Sequence, residues 1–264
     1  MGISQLDNSK PVYIIGDVHG CFDTLCLLIE KLPQKWESQI ILTGDLIDRG
    51  NKSCEVIDLA ISNQFACVLG NHEELMLEYY HKIPSSGRGS VWISNGGYET
   101  MESYRRYGGL RKIHEHLEWL TELPRFLEID LCDEEGRKLF VTHGFGLPYY
   151  KTRKKESQAL TWSRLKMHNP QKEAKKKYGV FNVFGHDVQK EVLITENFAA
   201  IDTGCVYYNT KPNARLSALE YPSKRIFEQA FVSRILEQTK PRSFTHFFSK
   251  AASSLREMKR RSNL

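Results

Sequence analysis

No apolar run in this 264-residue sequence approaches the roughly 18 residues that span a bilayer, so no membrane-crossing helix is expected. Met1 to Lys10 is polar and lacks the apolar stretch of a signal peptide, which sets the expectation of a cytoplasmic protein. Cysteine is sparse and unclustered. The six residues Cys21, Cys26, Cys54, Cys67, Cys132 and Cys205 show no CxxC spacing, and several sit inside apolar runs. That argues for reduced, packed thiols and against a disulfide frame or a thiolate zinc site. No internal repeat or low-complexity tract interrupts the chain. Nor does the body carry charge of one sign: residues 234–264 hold eight Lys/Arg against two Glu, so the net +5 of the whole leaves about −1 for residues 1–233.

What is present is an ordinary globular composition, 41% hydrophobic and 26% charged, enough for one sizeable core. Three short apolar runs, Val12–Ile15, Gln39–Thr43 and Phe65–Leu69, each end at glycine: Gly16-Asp17-Val18-His19-Gly20, Gly44-Asp45-Leu46-Ile47-Asp48-Arg49-Gly50 and Gly70-Asn71-His72-Glu73. A short apolar run closed by glycine reads as a buried strand ending in a tight turn. Helical spacing follows each turn, over Phe22–Lys31, Ser53–Ser62 and Glu73–Lys82. The order β-α-β-α-β-α predicts a parallel sheet with right-handed crossovers. Residues 90–125, with Trp92, Tyr104, Leu117 and Leu120, read as a mostly helical cap.

From residue 126 the period changes to two, with candidate strands at 126–131, 138–142, 180–184, 192–195, 199–201, 216–220 and 225–229. A second, mainly β sheet packed on the first is expected. The fold class is α/β: a two-sheet β-sandwich flanked by helices, with the site at one shared sheet edge. The expected domains are a catalytic unit at 1–233 and a basic tail at 234–264. Within that tail Phe244, Phe247, Phe248, Ala251, Ala252, Leu255 and Met258 line one helical face, against Lys250, Arg256, Lys259, Arg260 and Arg261. Such an amphipathic helix has three possible partners: its own body, another chain or an anionic membrane surface.

Asp17, His19, Asp45, Asn71, His143 and His186 supply six candidate ligands and no thiolate. Carboxylate, amide and imidazole together suit manganese, iron or zinc. Six ligands suit two divalent ions sharing one carboxylate, a clamp for phosphoryl displacement.

At these positions the chain resembles the phosphoprotein phosphatase family of the calcineurin-like metallophosphoesterases. The family pattern GDxHG, GDxxDRG, GNHE, H-G, G-H appears as GDVHG, GDLIDRG, GNHE, His143-Gly144 and Gly185-His186. WISNGGYETMESY at 92–104, Trp162-Ser163-Arg164 and Ile201-Asp202-Thr203-Gly204 suggest the bacterial and phage branch, and the SAPNY-type loop of eukaryotic members is absent. The resemblance implies that Asp17 and His19 bind one metal, that Asp45 bridges, and that Asn71, His143 and His186 complete the second. Bacterial relatives point to manganese, and water activated by the bridged pair would attack phosphorus directly.

A leaving alkoxide is a strong base, so phosphomonoester hydrolysis also needs a general acid. His72 is the candidate, held and oriented by Asp48. Arg49 offers a planar fork for phosphate oxygens, and Arg164 aligns with a second phosphate-binding arginine of the bacterial branch.

Two positions depart from the family pattern. Phe145 after His143-Gly144 would place a ring near the site mouth. Asp187 after His186 would be either a support or a charge that disfavours dianions. The basic segment 151–177, with ten Lys/Arg against Glu156 and Glu173, would overhang the site and attract anions.

The expected activity is serine/threonine protein phosphatase, on phosphoprotein or phosphorylated small-molecule substrates, with no specific nucleic-acid binding. The alternatives are a symmetrical dinucleoside-tetraphosphate hydrolase and a non-catalytic binding module. Asp48 favours phosphomonoesters, because the dinucleotide enzymes tend to lack a charge there and a phosphoanhydride needs an oriented acid less.

Overall fold

The computed structural model describes residues 6–81 and 91–232, within the compact unit Met1–Phe231 apart from the last residue. The expected amphipathic helix at 244–258 lies outside the described residues. Two five-stranded sheets form the centre. The first is ordered β10-β9-β1-β2-β3, from β1 (Val12–Ile15), β2 (Gln39–Leu42), β3 (Ala66–Cys67), β9 (Arg215–Tyr221) and β10 (Ile226–Ala230). The second is ordered β4-β5-β6-β8-β7, from β4 (Phe126–Cys132), β5 (Lys138–Thr142), β6 (Val180–Phe184), β7 (Leu193–Ile194) and β8 (Phe198–Ala200).

Strand alternation explains the layering. Along β1, Val12 and Ile14 face the second sheet, where they meet Leu139 and Val141 of β5 and Phe181 and Val183 of β6. Tyr13 and Ile15 point the other way, into a core with α1 (Phe22–Lys31) and α2 (Ser53–Ser62). On the far side of the second sheet, Phe140, Phe184 and Phe198 pack against Phe145, Leu147, Leu160 and Leu165. The result is helix, sheet, sheet, helix, as the sequence pattern implied.

One expectation fails. The strands at 216–220 and 225–229 do not extend the second sheet. They form a hairpin that adds antiparallel to the open edge of β1, with Ile14 opposite Leu219. That placement lets Leu219 and Tyr221 fill the inter-sheet core while β1 gains a partner on both sides.

The cap is helical but broken. A π-helical turn at Ile93–Gly97, kinked at Gly96 (φ 107°), leads into α4 (Tyr98–Tyr107), and Gly109, at φ 61°, separates it from α5 (Gly109–Thr121). Between α2 and α5, Asp58 accepts from Lys112 Nζ at 2.5 Å and lies 3.0 Å from His116 Nε2. Cys54 lies within ligand reach of that carboxylate and ring, but the lysine ammonium already neutralises Asp58, so the cluster acts as an ion-paired staple between helices. All six cysteines are free, and only Cys132 is exposed. Among the described residues no helix is long and apolar enough to cross a membrane.

Candidate metal centre

The carboxyl ends of β1, β2 and β3 meet those of β5 and β6, and the loops beyond them carry every sequence-predicted ligand. The first two loops are bonded to each other: the amides of Val18 and His19 donate to Asp45 O, and that of Gly20 donates to Leu46 O. Five non-glycine residues here, His19, Asp45, Asp48, Arg49 and His186, hold φ between 45° and 72°. Left-handed backbone at such residues is strained, and clustered strain marks functional sites. The glycines are needed for closeness: a Cβ on Gly185 would land on the Asp17 carboxylate, and one on Gly50 on the carbonyl of His19.

Four donor atoms converge at one point. His143 Nε2 lies 2.9 Å from Asn71 Oδ1, 3.1 Å from His186 Nδ1 and 3.3 Å from Asp45 Oδ1. His143 Nδ1 faces the Thr43 carbonyl at 2.8 Å, so that nitrogen carries the proton and Nε2 presents a lone pair. Lone pairs from nitrogen, amide and carboxylate thus face one another. Ligand bonds of about 2.0–2.2 Å give donor separations of about 3.3–3.6 Å in a tetrahedron, close to this cage. In addition, His186 Nε2 is buried without a hydrogen-bond partner.

A second focus adjoins it. His19 Nδ1 faces the Ile47 carbonyl at 2.7 Å, which leaves Nε2 an acceptor; it takes the Arg49 Nη1 hydrogen bond at 2.6 Å and lies 3.6 Å from Asp45 Oδ2. Asp17 lies outside the group of His19, Asp45 and His72, whose ligand atoms lie within 4.8 Å of one another, and accepts from the His186 amide at 3.0 Å and from Thr43 Oγ1 at 3.3 Å. Asp45 therefore offers Oδ1 to one focus and Oδ2 to the other.

Electrostatics agree with a cation site. Burial holds the His19 and His143 imidazoles below their ordinary value, and burial with the His143 charge takes His186 down to about 3, so all three are neutral, ligand-competent rings. Burial and the charges of Asp202 and Asp45 push Asp17 well up, and burial raises Asp202 to about 6. Burial also opposes ionisation of Asp45; positive charge on the facing rings of His143, His72 and His19 would outweigh it and hold Asp45 below the carboxylate range, and where His143 and His19 are neutral a cation would have to supply that charge. Crowded buried carboxylates with neutral imidazoles are what a divalent ion balances. The donor set fits two such ions.

His72 differs from the other imidazoles. Burial would lower it, but the Asp45 charge and the hydrogen bond to Asp48 raise it. Its Nδ1 lies 2.6 Å from Asp48 Oδ2, and its Nε2 lies 3.9 Å from Asp45 Oδ2, facing the two foci. Arg49 Nη1 lies 2.6 Å from His19 Nε2, with its guanidinium 5.5 Å from the Tyr207 ring centroid. Arg164 Nη1 donates to the His186 carbonyl at 3.4 Å and to Asp187 Oδ1 at 3.2 Å. All ten sequence-predicted site residues therefore meet in one region.

Asp187 also accepts the Leu165 amide at 2.5 Å, which makes it an anchor for the Arg164 loop. Phe145 corrects the sequence expectation: its ring is fully buried between Phe184 and Phe198, away from any site mouth. Its backbone turns it into the aromatic layer under the second sheet, where its apolar area is better placed. The 151–177 segment likewise packs through Leu160 and Leu165 on that layer, and reaches the site through Arg164.

Sequence reading missed Glu73. Fully buried, it accepts the amides of Asp45 (2.8 Å), Leu46 (2.8 Å), Ile47 (3.3 Å) and Gly70 (3.0 Å). Its signal was an acid at the start of α3 (Asn71–His81) directly after the ligand asparagine and its histidine. Trp92 and Thr100 lie in the 92–104 stretch that carried the resemblance, but nothing local tied them or Ser53 to Asp48.

The family described as "Calcineurin-like phosphoesterase" matches residues 10–226. Serine/threonine-protein phosphatase 1 of Salmonella typhimurium is 26% identical over 223 residues, covering 80% of this chain and 94% of that protein. An asymmetrical bis(5'-nucleosyl)-tetraphosphatase of Anoxybacillus flavithermus is 26% identical over 234 residues, covering 79% and 89%. Among solved structures, one described as a putative diadenosine tetraphosphatase superposes with a TM-score of 0.62 at 20% identity, covering 85% of this chain and 95% of that one. The chain belongs to the calcineurin-like metallophosphoesterases, a family of metal-dependent hydrolases.

Proposed function

We propose that this chain is a two-metal phosphomonoesterase acting on serine/threonine phosphoproteins. The observation that carries the reading is the 2.6 Å contact between His72 Nδ1 and a buried, fully hydrogen-bonded Asp48. Asp17, His19 and Asp45 would hold one ion, and Asp45, Asn71, His143 and His186 the other, with manganese the preferred metal. Bound there, the ions would supply Lewis-acid activation of water and charge neutralisation on phosphate.

The chain's own residues supply the rest. Arg49 and Arg164 bind and orient the non-bridging phosphate oxygens, replacing their hydration with fixed donors. As the P–O bond to the leaving group breaks, His72 Nε2 donates its proton to that oxygen, and Asp48 stabilises the imidazolium beforehand through Nδ1–H. A serine or threonine alkoxide needs that proton. A nucleotide leaving group, already a stable anion, needs it much less.

Dinucleoside-polyphosphate hydrolysis is the second reading, favoured by relatives of similar identity whose names record it. Steady-state kinetics on a phosphoserine peptide and on diadenosine tetraphosphate, both with manganese, separate the two. The proposal expects kcat/KM to favour the peptide, and a large preference for the dinucleotide overturns it.

A further inference from the structure

Asp48 is fully buried, and each of its partners is identifiable. Oδ2 faces His72 Nδ1. Trp92 Nε1–H is shared between both oxygens, at 3.1 Å from Oδ1 and 3.0 Å from Oδ2. Thr100 Oγ1 donates to Oδ1 at 2.7 Å and accepts the Asp48 amide at 2.9 Å, an amide that Ser53 Oγ also faces at 3.1 Å. One threonine hydroxyl thus fixes both the main chain and the side chain of this residue. The Asp48 backbone is left-handed, with φ 72°, so it needs such external support.

Trp92 and Thr100 flank the π-helical turn at Ile93–Gly97. That turn also reaches the neighbouring residue: the Arg49 amide donates to the Gly96 carbonyl at 3.2 Å. The Trp92 ring is fully buried against Tyr79 and Tyr80, at centroid distances of 4.9 and 5.9 Å. Those tyrosines belong to α3, the helix whose second residue is His72. The indole therefore spans from the helix that carries the imidazole to the carboxylate that orients it.

We propose that Trp92 and Thr100 are positioning residues for the proton donor, and that the cap segment 91–107 sets the direction of His72 Nε2. This rests on the reading of His72 as general acid. With its plane fixed by donors on both oxygens, Asp48 leaves the imidazole one orientation. With one donor lost, the carboxylate and ring rotate together, and proton delivery to a poor leaving group suffers most.

The test uses Thr100→Val, Thr100→Ser and Trp92→Phe in the full-length, manganese-loaded chain, with His72→Asn as reference. Readouts are kcat and KM on phenyl phosphate (poor leaving group) and p-nitrophenyl phosphate (good leaving group), with bound manganese per chain. Thr100→Val and Trp92→Phe are expected to lower kcat on phenyl phosphate about tenfold and on p-nitrophenyl phosphate about twofold, a part of what a general acid supplies. KM and metal content stay unchanged, and Thr100→Ser restores the rate. Equal losses on both substrates, no loss, or loss of bound metal in place of leaving-group selectivity would each overturn the proposal. If His72→Asn itself shows no leaving-group dependence, the general-acid reading fails instead, which separates the two.

Discussion

The Glu73 carboxylate accepts the main-chain amide of Asp45 at 2.8 Å, so a residue that faces neither metal focus sets the position of the carboxylate that faces both. Two further amides of the same loop, Leu46 and Ile47, end on Glu73 as well. Burial and the Asp45 charge push the Glu73 carboxyl up, while the Leu46 and Asp45 amides pull it down by stabilising the charged form.

Replacing Glu73 with Gln tests this. An amide has one acceptor oxygen, and its NH2 would confront a backbone N–H. Leaving a buried donor unsatisfied costs about 1–3 kcal/mol. The expected outcome is a lower melting temperature together with loss of bound metal, read by calorimetry and elemental analysis of the same sample. Normal metal content in a folded Glu73→Gln variant would show that the loop holds itself.

In the proposed mechanism Arg49 would bind phosphate without binding metal. Its guanidinium contacts the His19 ring and lies over Tyr207, but contributes no ligand. Arg49→Ala is expected to lower kcat/KM by about 3 kcal/mol, the scale of two charge-assisted hydrogen bonds to phosphate. Metal content should survive. Wild-type turnover in that variant would remove Arg49 from the mechanism.

A third prediction concerns stability away from the site. Asp133, in the β4–β5 turn, accepts from Arg137 Nε at 3.0 Å and pairs with Lys224 at 3.2 Å, tying the second sheet to the β9–β10 turn of the first. Burial opposes ionisation of Asp133, but the Arg137 and Lys224 bonds outweigh it and lower it from 3.8 to about 2. A depressed carboxyl stabilises the fold above its unfolded value, and that contribution disappears as pH falls toward the folded one. Asp133→Asn is therefore expected to cost about 1–2 kcal/mol at pH 7, after discounting for solvent screening, with the cost shrinking toward pH 2 and vanishing below it. Denaturant melts at several pH values read this directly, and a pH-independent difference would contradict it.

Much of this was legible in the sequence because local signals were sufficient. Apolar runs closed by glycine placed β1 and β2, and 3.6-residue spacing placed α1 and α2 at their observed bounds. The candidate ligands Asp17, His19 and Asp45 sit in those same turns, so the pattern that located the strands also located these side chains. Partnering was not legible. Alternation in 216–220 showed which side chains face inward, but not that the strand pairs with β1, some 200 residues earlier. Asp48 and Thr100 are 52 positions apart, and no short-range pattern connects them. Phe145 was misjudged because sequence adjacency to His143 says nothing about which way the next side chain turns.

The central claim is that Asp45 joins two ion sites that act together on a phosphate ester. It is tested most directly by titrating metal-stripped protein with manganese while recording bound ions per chain and turnover of p-nitrophenyl phosphate. The expected result is two ions per chain, activity that appears only as the second site fills, and loss of both in Asp45→Asn. Full activity with a single bound ion, or two ions with no turnover, would contradict it.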